Sequence, residues 1–141
     1  MKNVILAAIV GVAAVAAADA PPAATYKSEA ELMAALKAGQ ATPDMLTSEV
    51  QNTDNHRINI VRRTKAAGAV AHQGFAELHH IVEGSGTLVT GGTIVDRKVQ
   101  GGVSRHVAKG DVILVPSGVP HWYKDIDGAS ITYLEVRWAE K

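Results

Sequence analysis

The sequence predicts an all-β domain, a sandwich or barrel, behind one short N-terminal helix. Three observations point that way. From Glu49 onward the chain falls into short strand-like runs: HRINIVRR, AELHHIVEG, GTLVTGG, TIVDRKV, VSRHVAKG, DVILVP, HWYKDI and SITYLEVRW. Glycine-rich breaks at 84–86, 91–92 and 101–102 separate several of them, which is the turn spacing of an all-β fold. No run between them has the helical character that a parallel crossover needs.

The N-terminal residues read differently. MKNVILAAIVGVAAVAAADA opens on Lys2, continues as an apolar run from Val4 to Ala18 and ends in small residues. That is the three-part pattern of a secretory signal peptide, with cleavage expected at Ala16-Ala17-Ala18. The run is short for a membrane span, which takes about 20 residues. The expectation is therefore a periplasmic or secreted protein with no stable membrane anchor after cleavage, residues 1–20 standing outside the fold. Residues 21–48 are expected to form a linker and the N-terminal helix, and residues 49–141 the β-domain. PPAAT is the linker. In SEAELMAALKAG, Ser28 and Glu31 have capping-box spacing, Gly39 suits the helix exit, and Leu32, Met33 and Leu36 give an apolar side. Thr42-Pro43-Asp44 then predicts a second short helical turn, with proline at its first position.

Within the β-region the alternation assigns faces. On HRINIVRR, Ile58, Ile60 and Arg62 share one side and Arg57, Asn59 and Val61 the other. An inward arginine among Arg57, Arg62 and Arg63 would suit a carboxylate ligand. On SITYLEVRW the apolar set Thr132, Leu134 and Val136 is expected to face the core, and Tyr133, Glu135 and Arg137 the other side. Trp122 and Tyr123 follow His121, where one of them would line a pocket mouth.

Composition narrows the chemistry. The 141 residues carry a formal net charge of zero and no cysteine. Balanced charge argues against a nucleic-acid partner, since there is no basic excess to neutralise phosphates. Without cysteine there are no disulfides and no thiolate metal sites, so any metal must use His, Asp, Glu or backbone oxygen. Of the six histidines, four lie in or beside two short segments, HQGFAELHHIVEG and GDVILVPSGVPH. In the second, Pro116 fixes φ and Gly118 permits a left-handed backbone. The result is a stiff turn that holds His121 at its exit.

These segments resemble the two motifs of the cupin superfamily. Gly110, Pro116, Gly118 and His121 satisfy every position of the second motif, and His72, Glu77 and Gly84 fit the second-His, acidic and glycine positions of the first. Val70 stands where the first motif has its first histidine. The resemblance spans residues 56 to 138 and implies a cupin jelly-roll β-barrel (a double-stranded β-helix). It also implies a divalent metal (Fe, Zn, Mn or Ni) held by His72, Glu77 and His121. His79, two residues past Glu77, points to the same side of a strand. It is the candidate catalytic acid/base, or a support for the ligand set, or a replacement for the missing histidine. His80 is expected to point away. His106 is a second candidate to face the barrel and complete the set, with a surface or packing position the stronger expectation. The family spans oxygenases, isomerases, lyases and non-catalytic binding proteins, and its members often pair through their sheets. The implied partners are thus a small-molecule ligand and a second copy of the chain in a homodimer. A metal-dependent enzyme acting on a small polar substrate is the expected function, with a non-catalytic small-molecule or metal-binding cupin as the alternative.

Overall fold

A computed structural model describes residues 23–140; the expected signal peptide, residues 1–20, lies outside them. The helix α1 runs Glu29–Ala38, and Ser28 and Glu31 make both halves of the expected capping box. Eleven strands follow: β1 Gln40–Ala41, β2 Met45–Asn52, β3 His56–Arg63, β4 Phe75–Glu83, β5 Ser85–Thr90, β6 Thr93–Val95, β7 Lys98–Gln100, β8 Val103–Ala108, β9 Val112–Val115, β10 His121–Ile126 and β11 Ile131–Ala139. No helical turn forms at Thr42-Pro43-Asp44. There the backbone of Thr42 and Met45 exchanges hydrogen bonds in a tight turn that leads directly into β2, so pairing with β3 overrides the local preference.

All strand pairs are antiparallel. A six-stranded sheet has the order β1-β2-β3-β11-β4-β9, a three-stranded sheet the order β10-β5-β8, and β6 and β7 form a small ribbon. The core lies between the two larger sheets: Val61, Ile81, Ile131 and Tyr133 come from one and Leu88, Val107 and Tyr123 from the other. This is the expected jelly-roll arrangement. Helix α1 lies against the outer face of β2 and β3. It buries Leu36 completely, and Ile60 is as deeply buried where Leu32 and Met33 line a shared cavity with it.

The face assignment on the last strand is reversed from the expectation. Tyr133 belongs to the core, and by alternation Glu135 and Arg137 follow it inward, while Thr132, Leu134 and Val136 face outward. The outward set is not exposed, because Thr132 bonds Arg62 and Leu134 pairs with Ile60 on the face that α1 partly covers. Apolarity therefore marks both faces of β11 and does not decide between them. Register aligns the inward residues in layers. Tyr133 lies opposite Val61 and Ile81, Glu135 opposite Asn59 and His79, and Arg137 opposite Arg57 and Glu77. The interior thus grades from an apolar end to a polar end.

Candidate metal centre

Two stiff segments bring the first donors together. Val70 and His121 form an isolated antiparallel bridge, with the His121 N–H donating to Val70 O at 2.9 Å and the Val70 N–H to His121 O at 3.0 Å. Two residues on, the Gly118 N–H donates to His72 O at 3.0 Å. Gly118 has φ +73°, which is why the turn needs glycine here. The proline-glycine turn therefore positions His121 at its exit and also clips the backbone of His72.

Glu77 projects inward from β4 and is 1% exposed. His72 Nε2 lies 3.2 Å from its Oε1, and His121 Nε2 lies 3.3 Å from its Oε2. One donor atom from each of His72, Glu77 and His121 falls within a 4.8 Å cluster. His121 Nδ1 sits 3.2 Å from Val119 O. One ring nitrogen is thus committed to the backbone and the other left facing Glu77, an orientation that metal-ligating histidines commonly use.

His79 lies behind the carboxylate. Its Nε2 is 3.0 Å from Glu77 Oε2 and its Nδ1 is 3.1 Å from Tyr123 Oη. The ring stacks on Tyr133 with centroids 4.6 Å apart, and the residue is 1% exposed. The Tyr133 hydroxyl in turn accepts from Arg63 Nε at 2.9 Å, and the Arg63 guanidinium lies over the Tyr123 ring. Burial pushes Tyr133 up to about 12 and Tyr123 further still, so both hydroxyls stay neutral. Burial also works against the charge on Glu77. Contacts with the His121 and His79 rings and the Arg137 charge outweigh it, holding the carboxyl well below the usual carboxylate range. Burial lowers the His72 imidazole, with the Glu77 charge opposing and Arg137 and His121 assisting.

The residues fit a divalent ion by donor type and by convergence. Two imidazole nitrogens and a carboxylate suit iron(II), zinc, manganese or nickel. Glu77 Oε1 is buried without a well-aligned hydrogen bond, even though Arg137 Nη2 approaches it to 2.6 Å. The distance shows an ion pair and the alignment shows a poor hydrogen bond; both describe an oxygen whose lone pairs are incompletely used. A second cluster, Glu77, His79 and Glu135, shares the same carboxylate one layer deeper.

The other sequence candidates sort cleanly. Arg63 is the inward arginine of β3, whereas Arg62 faces outward and pairs with Glu83 at 2.7 Å. Arg57 is exposed. Tyr123 joins the interior, and Trp122 donates its indole N–H to Ala67 O. His80 lines the outer cavity beside α1, and His106 pairs with Asp127 on the surface. Sequence reasoning did not place Glu135 or Arg137 in the site. The signal for both was the period-two pattern of β11, and its face was misassigned. Asn59, which donates to Glu135 Oε1 at 2.9 Å, was equally unplaced.

The jelly roll with this His/Glu cluster at its polar end defines a cupin. Residues 66–138, just over half of the chain, match the AraC-like ligand binding domain family, and the chain belongs to that family. Solved structures agree at the level of fold. The cupin domain of Schizosaccharomyces pombe Cnp3 is 12% identical with a TM-score of 0.59, covering 74% of this chain and 67% of that one. A predicted oxalate decarboxylase from Thermotoga maritima is 16% identical with a TM-score of 0.57, covering 68% and 81%. KdgF from a Halomonas species is 15% identical with a TM-score of 0.53, covering 72% and 86%. No curated protein sequence matches the chain.

Proposed function

We propose that this chain is an exported, metal-dependent cupin that takes a small polar molecule at the polar end of its barrel. His72, Glu77 and His121 hold a divalent ion. The observation that carries this reading is the convergence of their three donor atoms around a carboxylate that is 1% exposed. When bound, such an ion polarises a carbonyl or hydroxyl, or activates oxygen if it is iron(II). The protein's own residues prepare the place. The Val119 carbonyl orients His121, the Gly118 N–H fixes His72, and His79, backed by Tyr123, orients Glu77. Of the three roles the sequence leaves open for His79, its burial behind Glu77 favours positioning the carboxylate over acid/base work on substrate or replacement of the missing ligand. Export rests on the residue pattern of 1–20 and is checked by the N-terminal mass of the purified chain.

The test is a thermal-shift and turnover screen with small hydroxy acids, keto acids and sugars, run on metal-free and metal-loaded protein. Ligand stabilisation or turnover confined to the loaded protein is the expected result; equal response in the metal-free protein overturns metal dependence. A second reading, a binding cupin that works without an ion, is favoured by two observations. Val70 replaces a histidine, and Arg137 already lies against Glu77. Equal ligand binding in metal-free protein, with no turnover, is the outcome that selects it.

A further inference from the structure

The register of β11 against β4 places Arg137 directly opposite Glu77. Its Nη2 lies 2.6 Å from Glu77 Oε1, 3.1 Å from His72 Nε2 and 3.5 Å from Glu135 Oε1. A guanidinium has N–H donors and no acceptor. The His72 nitrogen therefore accepts from it, and the lone pair that would bind an ion is turned toward Arg137. Two of the three donors of the candidate centre thus converge on one guanidinium nitrogen. The seat is a poor one for arginine, however. The Glu77 contact is badly aligned for a hydrogen bond, and Arg137 Nε is buried with no partner. Charge holds this side chain more than directed bonding does. Arg137 also borders a cleft of about 160 Å³ beside the β2–β3 turn, with Asp54 and Phe75 in its walls. That cleft, which Arg57 and His56 also line, gives the guanidinium space outside the donor set and holds the Asp54 carboxylate in its wall.

We propose that Arg137 is a resident counter-cation that competes with a divalent ion for His72 and Glu77, and that it turns toward the Asp54 cleft when the ion binds. The inference rests on the metal reading above. Its physical basis is exclusion by like charge. A guanidinium and a divalent ion cannot share the same carboxylate oxygen and imidazole nitrogen, and they repel strongly where burial weakens screening. Arg137 then determines how tightly the centre holds its ion while keeping Glu77 neutralised in the ion-free protein.

The test is isothermal titration of Zn²⁺ into chelator-stripped wild type, Arg137→Met and Arg137→Gln, with melting temperatures recorded with and without the ion. Competition predicts that both variants bind Zn²⁺ about tenfold or more tightly than wild type, and that the ion raises their melting temperatures more. Gln keeps a polar group beside Glu77, so it covers the case in which Met does not fold. If wild type binds Zn²⁺ and the folded variants bind it equally or more weakly, Arg137 is no competitor, and the metal centre itself stands. If neither wild type nor folded variant binds, the metal reading falls and this inference with it.

Discussion

Glu77 is the residue on which the interior converges. It meets His72, His79, His121 and Arg137, all within 3.3 Å. His72, Glu77 and His121 were legible in the sequence because each belongs to a spaced motif whose turns are themselves marked by proline and glycine. Arg137 and Glu135 were not, because they come from the far end of the chain and meet Glu77 only through strand register. Val70 is informative in the opposite sense. It pairs with His121 in an antiparallel bridge, so the two side chains leave the same face. A histidine at position 70 therefore points toward the donor set. Val70→His is expected to tighten Zn²⁺ binding by about tenfold, as a fourth ligand joins three. Calorimetric titration checks this, and unchanged affinity would mean that the bridge directs position 70 away from the ion.

At the scale of elements, the decisive unit is the turn between β9 and β10. Its sequence, PSGVP, announced a rigid corner before β10, and the structure adds that the same corner fastens His72. Gly118→Ala puts a Cβ at φ +73°, 2.8 Å from the Gln73 side chain. The left-handed backbone alone should cost about 1–2 kcal/mol. Because the displaced N–H holds His72 O, Zn²⁺ affinity should fall along with stability, as read by urea unfolding and titration of the same sample. A stability loss with undiminished affinity would show that the turn holds the fold and not the site. Strand β11 teaches the complementary lesson. Period-two alternation correctly divided its residues into two sets, but both sets are buried or partly buried, one in the barrel and one on the face shared with α1. Hydrophobicity cannot choose between two covered faces. The helix itself was readable to within a residue because its cap is a local interaction.

For the whole molecule, the all-β class was foreseeable from strand and turn spacing and the jelly roll from the resemblance to cupins, while the grading of its interior from apolar to polar depended on register. Placing ionisable groups at the polar end has a consequence for pH. Glu77 and His72 are both held below their ordinary values of about 4.3 and 6.5. Below those values the unfolded chain takes up protons that the folded chain resists, so stability is full above them and is lost as pH falls. The metal-free chain should melt at progressively lower temperature below about pH 6.5, with a further drop below about pH 4.3 that is reduced in Glu77→Gln. A melting temperature constant from pH 7 to pH 4 would contradict this. Whether His72, Glu77 and His121 hold an ion is decided by elemental analysis of the chain purified without chelator, beside His121→Ala. Close to one divalent ion per chain is expected in the wild type, and its loss in the variant. No ion in either protein, even after reconstitution with iron(II), zinc, manganese and nickel, would contradict it.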